Sequence, residues 1–146
     1  MRNILIIGAG RSATSLIRYL LNKSEEENFF ITIGDISLES AHKLIQGHSN
    51  AKGIKLDVFN DAQRKEAVKN SDLVISMLPA RFHVEVAREC IEFGKHMVTA
   101  SYVSKEMQDL DEQAKAKGLV LMNEIGLDPG VDHMSAMQII DRIRDK

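Results

Sequence analysis

The sequence has little of several features that mark particular classes of protein. It contains one cysteine, Cys90, which excludes an internal disulfide and a multi-cysteine metal site. It has no run of about 20 apolar residues that would predict a membrane-spanning helix. Its five histidines are scattered without the spacing of metal ligands, so we expect no metal site. Its formal net charge of −2 gives no basic footprint for nucleic acid or for an anionic membrane.

The remaining composition is that of an ordinary globular domain. Of the 146 residues, 44% are hydrophobic and 27% are charged, which suits one domain with a real hydrophobic core. The apolar stretch at residues 4–7 is too short for a signal peptide. Together with the single cysteine, these features favour a cytoplasmic protein.

Short apolar runs alternate with helical patterns along the whole chain. Strands are predicted at residues 3–7, 29–33, 53–58, 71–78, 95–100 and 119–124. Helices are predicted between them at residues 11–22, 38–47, 60–70, 83–94 and 104–118. This order, with short connections, is typical of a parallel sheet with right-handed crossovers. The sequence therefore predicts an α/β fold, a Rossmann-type doubly wound parallel sheet of about six strands with helices on both faces.

A glycine-rich turn follows the first strand and begins the first helix. Gly8, Gly10 and Ala13 form the pattern G-x-G-x-x-A. In such a turn the first glycine permits the tight bend, the second lets a diphosphate approach the backbone, and the alanine allows close packing of helix on strand. Free N–H groups at the helix N-terminus suit a phosphate. The turn therefore predicts a dinucleotide site, although the pattern alone also fits a simple strand-to-helix corner.

Acidic residues follow the second and third predicted strands. Asp35 lies 22 residues after Ala13, near the spacing of the acid that binds an adenosine ribose. A carboxylate there accepts hydrogen bonds from both ribose hydroxyls and repels a 2′-phosphate, which favours NAD over NADP. Asp57 is placed to bond the adenine amino group while Val58 packs on the ring. Asp35 could instead cap its own loop, and Asp57 or Asp61 could instead cap the next helix.

The carboxyl ends of the later strands carry the other candidates. Because a ligand crosses an open parallel sheet at the switch between its first and fourth strands, we predict that Met77 and Leu78 border the ribose and diphosphate. Ser101 and Tyr102 bring hydroxyls to the same edge, and Asp128 brings a carboxylate.

No catalytic acid–base residue is assigned from the residues alone. His83 begins a helix near this edge, and we interpret it as a surface or packing residue rather than as an acid–base group. Cys90 lies at a helix position that is expected to be buried. The seven methionines suit core filling.

Five stretches together resemble one known family. They are GAGRSATS (8–15), LESAHKL (38–44), SDLVISMLPARFH (71–83), VTASYVS (98–104) and MNEIGLDPGVDH (122–133). They are similar to the nucleotide-binding domain of the glutamate-forming saccharopine dehydrogenases, over residues 3–137. The stretches SYVS and GLDPGVDH are far more specific than the glycine turn.

The resemblance implies an NAD(P)-dependent oxidoreductase of two domains. Saccharopine is oxidised at its secondary amine, with a hydride passing to C4 of the nicotinamide, and the imine is hydrolysed to glutamate and aminoadipate semialdehyde. The resemblance places Ser101, Tyr102 and Asp128 against the substrate. It places along the cofactor the residues Gly10, Arg11, Ser12, Ala13, Asp57, Val58, Leu78, Ala100, Leu127 and Pro129.

One departure from the family concerns the cofactor. Members that use NADP carry an arginine just after the second strand, where this chain has Ile36 preceded by Asp35. This departure again favours NAD, and it keeps open related substrates such as lysine or carboxynorspermidine.

Residues 1–130 are expected to form the dinucleotide-binding domain. Residues 131–146 are expected to begin a helix that leads to a missing substrate domain, through which a homodimer could form. This piece alone is expected to turn over little or nothing. Two other functions remain open, a non-catalytic nucleotide sensor and an adenosylmethionine-dependent transferase.

Overall fold

The computed structural model describes residues 1–144, which contain one parallel sheet of six strands in the order β3-β2-β1-β4-β5-β6. The strands are β1 (Arg2–Ile7), β2 (Phe29–Asp35), β3 (Ala51–Lys55), β4 (Leu73–Ser76), β5 (His96–Thr99) and β6 (Leu121–Met122). The strand order reverses direction at β1, which pairs with both β2 and β4. The doubly wound Rossmann-type sheet predicted from the sequence is therefore confirmed.

Seven α-helices connect and follow these strands within the described residues. They are α1 (Thr14–Lys23), α2 (Leu38–Ile45), α3 (Asp61–Lys69), α4 (His83–Phe93), α5 (Lys105–Gln108), α6 (Asp111–Ala116) and α7 (Val131–Arg144). Short 3₁₀ turns, Arg11–Ala13 and Ala80–Phe82, lead into α1 and α4. None of these helices is both long and apolar enough to span a bilayer.

The core has two halves because alternate residues of a strand face opposite sides of the sheet. In β1, Leu5 and Ile7 pack in the half formed with α3 to α6, and Ile4 and Ile6 pack in the half formed with α1 and α2. All four side chains are buried, as expected of a central strand. Burying each one stabilises the fold by about 1.5–3 kcal/mol. Cys90 is fully buried, as predicted, in the first half.

Helices cover the two faces of the sheet unequally. On the face that carries α1, a groove of about 870 Å³ runs beside that helix, with Tyr19, Leu73, Val98 and Val120 among its lining residues. The side chains of Tyr19 and Val120 are exposed there. Helix α7 contains no buried residue, although five of its methionine and isoleucine side chains are exposed: Met134, Met137, Ile139, Ile140 and Ile143.

The observed elements differ from the predicted ones mainly at their ends. The predicted helix at 104–118 is two short helices, α5 and α6, separated at Asp109 and Leu110. Met107, Leu110 and Ala114 are all buried at a spacing that fits one helix, so periodicity alone did not reveal the break. The terminal helix is observed to Arg144, and the last two residues of its predicted range lie outside the described residues.

Candidate functional site

The glycine turn lies where the sheet changes direction. Ile7, the last residue of β1, pairs with Gly34 of β2 and with Ser76 of β4. Gly8 follows with a φ of +107°, and its N–H donates to the Gly34 carbonyl oxygen across 2.8 Å. A Cβ at this position would lie 3.0 Å from the Met77 carbonyl oxygen. Both the backbone conformation and the close neighbour therefore require glycine here.

Gly10 is not required by the protein's own packing. Its φ of −71° suits any residue, and a Cβ built on it meets no atom of residues 1–144 within 4 Å. Among residues 1–144, no side chain accepts a hydrogen bond at the N-terminus of the Arg11–Ala13 turn. Ala13 is fully buried behind it. The turn therefore presents open space beside helix N–H groups, an arrangement that suits an anionic group.

The carboxylate of Asp35 lies beside this turn. Its Oδ2 accepts a hydrogen bond from the Ala9 N–H across 2.7 Å, and its Oδ1 accepts one from the Ser37 N–H across 2.8 Å. The loop-capping alternative is therefore observed. Two carboxylate oxygens offer about four acceptor sites, so the capped group can still accept from the hydroxyls of a sugar. The next side chain, Ile36, is 65% exposed and carries no charge.

The loop after β3 is built around Asp57. Asp57 Oδ1 accepts from the Phe59 N–H across 3.0 Å, and Asn60 caps α3 by accepting from the Gln63 N–H across 3.1 Å. Asp57 therefore caps its own loop, whereas Asn60 caps the next helix, so the alternative in which Asp57 or Asp61 caps that helix is wrong. Phe59 is 71% exposed and packs edge-to-face on Phe82, with ring centroids 5.0 Å apart.

A buried ion pair between α3 and α4 holds this loop in place. Arg64 and Glu89 are 6% and 3% exposed, and their side chains approach to 2.8 Å. The same guanidinium donates to the Val58 carbonyl oxygen and to Asp61. Arg64 therefore ties the loop that carries Asp57 and Val58 to helix α4.

The loops after β5 and β6 are joined to each other. The Tyr102 hydroxyl donates to Asp128 Oδ1 across 2.6 Å, and this hydrogen bond raises the pKa of Tyr102. Glu124 has a φ of +61°, which is rare for a residue with a side chain. Its N–H donates to the Ser101 carbonyl oxygen, and its Oε1 accepts from the Val103 N–H. The three residues predicted to contact substrate therefore belong to one hydrogen-bonded unit.

The stretch GLDPG forms a tight loop that packs against the end of β5. Gly126 N–H donates to the Pro129 carbonyl oxygen across 2.9 Å. A Cβ on Gly130 would lie 2.1 Å from the Gly126 carbonyl oxygen, and one on Gly126 would lie 2.9 Å from the Cβ of Ala100. Only glycine fits at either position. The loop displays Leu127 with 77% of its side chain exposed.

His83 occupies the centre of a buried polar cluster. Its Nδ1 lies 2.9 Å from Ser76 Oγ, and its Nε2 lies 2.7 Å from Ser101 Oγ and 3.2 Å from Thr99 Oγ1. The histidine is only 3% exposed, and burial lowers its pKa, so the imidazole is held neutral. The interpretation as a surface residue is therefore wrong, whereas a buried packing position is observed, with hydroxyl partners at both ring nitrogens.

The family follows from comparison with known proteins. Residues 4–122 match the family described as saccharopine dehydrogenase NADP binding domain. The chain belongs to the saccharopine dehydrogenase family. The resemblance predicted from the sequence is thereby confirmed.

Relatives and solved structures agree with this assignment. The chain is 39% identical to a glutamate-forming saccharopine dehydrogenase [NADP(+)] of Schizosaccharomyces pombe, over 98% of the chain and 31% of that protein. It is 35% identical to an alpha-aminoadipic semialdehyde synthase of Arabidopsis thaliana, over 94% of the chain and 15% of that protein. An apo structure of the glutamate-forming saccharopine dehydrogenase from Saccharomyces cerevisiae superposes with a TM-score of 0.88 at 32% identity. It covers 99% of the chain and 32% of the yeast protein.

The chain thus spans about a third of the length of the saccharopine dehydrogenases that it matches. None of these three relatives is named as a nucleotide sensor or as a transferase. The nucleotide-sensor and transferase alternatives therefore find no support among these relatives.

The predicted cofactor residues lie along one edge of this saccharopine dehydrogenase fold. Gly10 belongs to the glycine turn, Asp35 accepts from the Ala9 N–H of that turn, and the backbone of Met77, just after β4, lies against Gly8. Leu78 is half-buried and packs against the half of the core that is formed with α3 to α6. Their contacts with a cofactor stay predictions.

Two features of the edge were missed from the sequence. The hydroxyl cluster at His83 had a signal, since Ser76 and Thr99 lie near the ends of the predicted strands at 71–78 and 95–100, and Ser101 follows the second of them. The Arg64–Glu89 pair had none, because residues 25 apart on two helices carry no pattern that links them.

Proposed function

We propose that this chain is the cofactor-binding part of an NAD(P)-dependent oxidoreductase that acts on the secondary amine of saccharopine or of a related amino acid. The observation that carries the proposal is the open space at Gly10 beside the Asp35 carboxylate, at the point where the strand order reverses. Ligands of open α/β sheets bind at this point. Membership of the saccharopine dehydrogenase family supports the reaction class.

Each part of the dinucleotide has candidate partners along the strand ends. The diphosphate would lie on Gly10 and the Arg11–Ala13 turn, and the adenosine ribose would lie on Asp35. The exposed Phe59 ring and Val58 would flank the adenine. On the far side, toward the nicotinamide, the lining residues would be Met77, Leu78, Ala100, Leu127 and Pro129.

The reaction needs one hydride acceptor and one water. The oxidised dinucleotide supplies the acceptor at nicotinamide C4 when it is bound. The carbon next to the amine nitrogen loses a hydride and the nitrogen loses a proton, which leaves an imine. Water then hydrolyses the imine to an amine and an aldehyde. In this chain Ser101, Tyr102 and Asp128 would hold the amino-acid end of the substrate.

We propose further that NAD is preferred over NADP. The family description and the relatives' names specify NADP, but two local features support NAD. The Asp35 carboxylate would repel a 2′-phosphate, and Ile36 offers no cation to bind one. The repulsion acts at close range beside a helix start, where water screens it incompletely.

Residues 1–130 would form the dinucleotide-binding domain, and α7 would lead to a substrate-binding part. The exposed apolar side chains of α7 and the uncovered groove beside α1 support further packing there. The greater length of the relatives supports it as well. A homodimer would form through contacts between two copies of that part.

Titration of the protein with NADH and NADPH tests this function. We expect NADH to bind at least about tenfold more tightly than NADPH, a difference of about 1.4 kcal/mol. The variant I36R should raise the affinity for NADPH, and Asp35→Asn should narrow the preference. Glu25→Gln, which alters an exposed carboxylate in the loop after α1, should change neither affinity. A preference for NADPH would overturn the choice of NAD, whereas binding of neither dinucleotide would overturn the proposed function.

A further inference from the structure

Three hydroxyl groups converge on the His83 imidazole from two neighbouring strands and the loop that follows them. Ser76 ends β4, Thr99 ends β5, and Ser101 lies in the loop after β5, next to Tyr102. Ser76 and Thr99 are 1% and 2% exposed. Ser101 is only partly buried, so it is the member of the cluster that reaches the open edge of the sheet.

The distances make Ser101 the main partner of the Nε2 atom. A neutral imidazole nitrogen carries either one hydrogen or one lone pair in the ring plane, so it makes one strong hydrogen bond. Nε2 lies 2.7 Å from Ser101 Oγ and 3.2 Å from Thr99 Oγ1. Thr99 Oγ1 is also positioned 3.4 Å from the Ser101 N–H. The imidazole and Thr99 therefore hold both the side chain and the backbone of Ser101.

The other attachments of this loop lie further along it. Glu124 holds the Ser101 carbonyl oxygen and the Val103 N–H, and Asp128 holds the Tyr102 hydroxyl. These contacts fix the backbone and the tyrosine, but none of them fixes the direction of the Ser101 hydroxyl. Among the contacts of the described residues, His83 is the partner of that oxygen.

We propose that His83 is a positioning residue, which orients the Ser101 hydroxyl so that its remaining hydrogen-bonding capacity faces the amino-acid substrate. This inference rests on the proposed function. His83 is buried and does not itself reach the open edge, so its effect on substrate passes through Ser101.

A matched pair of substitutions distinguishes the contribution of Nε2 from that of Nδ1. Glutamine places its terminal amide near the position of Nε2, which faces Ser101. Asparagine places its amide near the position of Nδ1, which faces Ser76. We therefore compare His83→Gln and His83→Asn in the complete protein by measuring NADH affinity, and then saccharopine affinity in the presence of saturating NADH.

We expect His83→Asn to weaken saccharopine binding by about tenfold or more, with NADH affinity unchanged within about twofold. His83→Gln should restore most of the saccharopine affinity. A purely structural role predicts instead that His83→Asn and His83→Gln affect both ligands equally, and that result would overturn the inference. Unchanged saccharopine affinity in His83→Asn would overturn it as well.

Ser101→Ala keeps the test decisive if the histidine variants do not fold. The Ser101 side chain is only partly buried. We expect Ser101→Ala to reproduce the loss of saccharopine affinity without a change in NADH affinity. If Ser101→Ala binds saccharopine as the unaltered protein does, the inference is wrong. Failure of the unaltered protein to bind NADH would count against the proposed function. Binding of NADH without saccharopine would contradict the substrate assignment, and with it the role of His83.

Discussion

The carboxylate of Asp35 accepts a hydrogen bond from the Ala9 N–H across 2.7 Å, so the end of β2 is tied directly to the glycine turn after β1. The group that would select the ribose therefore also shapes the turn that would hold the diphosphate. A substitution at Asp35 is expected to affect both the structure of the turn and the choice of cofactor. For this reason, variants at neighbouring positions give cleaner tests of each part.

Gly8 and Gly10 should respond in opposite ways to substitution by alanine. We expect Gly8→Ala to lower the free energy of unfolding by about 1–3 kcal/mol, because its φ is positive and the Met77 carbonyl oxygen is close. Gly10→Ala should change the free energy of unfolding by less than about 1 kcal/mol, since its Cβ meets no atom of the described part of the chain within 4 Å. It should nevertheless weaken NADH binding by about tenfold or more.

Urea denaturation and NADH titration of the two variants check this pair of expectations. Unchanged NADH affinity in Gly10→Ala would show that the open space beside Gly10 is not where the dinucleotide lies. A loss of stability in Gly10→Ala as large as in Gly8→Ala would show that the turn needs the second glycine for its own structure.

Removing one partner of the Arg64–Glu89 pair should destabilise the fold strongly, whereas replacing both partners by apolar residues should destabilise it much less. We expect Glu89→Ala to reduce the free energy of unfolding by about 3–5 kcal/mol, because it leaves a buried guanidinium without its main partner. The double variant Arg64→Met with Glu89→Leu should recover most of that loss. Lys65 and Glu92 join the same two helices at the surface, 3.4 Å apart. Glu92→Ala should cost less than about 1 kcal/mol in the same urea denaturation.

Two outcomes would contradict this account of the pair. Equal losses in Glu89→Ala and Glu92→Ala would show that burial adds nothing to the interaction. A double variant as unstable as Glu89→Ala would indicate that Arg64 matters mainly through its bonds to Val58 and Asp61.

The fold could be predicted from the sequence because the patterns that indicate strands, helices and turns are local. Most strands are short apolar runs, and the residues that end them are neighbours in the chain, so the alternation of strands and helices and the glycine turn at Gly8 could be predicted. The split between α5 and α6 could not, since Met107, Leu110 and Ala114 keep a helical spacing across the break.

The interior of the site depends on contacts between distant residues. Asp35 and Asp57 could be placed at strand ends, but whether each carboxylate caps a loop depends on backbone N–H groups that only the folded chain brings near. The partners of His83 are 7 to 18 residues away, on separate elements. No periodic pattern links such residues, so only the shared position of His83 and Ser101 at one edge was predicted, and the contacts themselves were not.

Stability should fall in mild acid partly because His83 is buried and neutral. Burial lowers its pKa in the folded protein, whereas an unfolded histidine titrates near about 6.5. The unfolded chain therefore binds more protons below that pH. The stability that this group contributes is complete above about pH 6.5, and it is lost as the pH falls toward the lower folded pKa.

Urea denaturation of the unaltered protein and His83→Gln over a series of pH values checks this expectation. The difference between the two should change by up to about 1.4 kcal/mol per pH unit below pH 6.5. Carboxylates that titrate in both proteins cancel in the difference. Parallel pH profiles would contradict the burial of a neutral imidazole at this position.

The position of the dinucleotide is tested most directly by NMR titration of the ¹⁵N-labelled protein with NADH. We predict saturable shifts of the backbone amide signals of Gly10, Arg11 and Ser12, together with Ile36 beside the proposed ribose. Signals of the groove beside α1, such as those of Leu20 and Val120, should stay unchanged. Shifts confined to that groove, or no saturable shift in the glycine turn, would contradict the account.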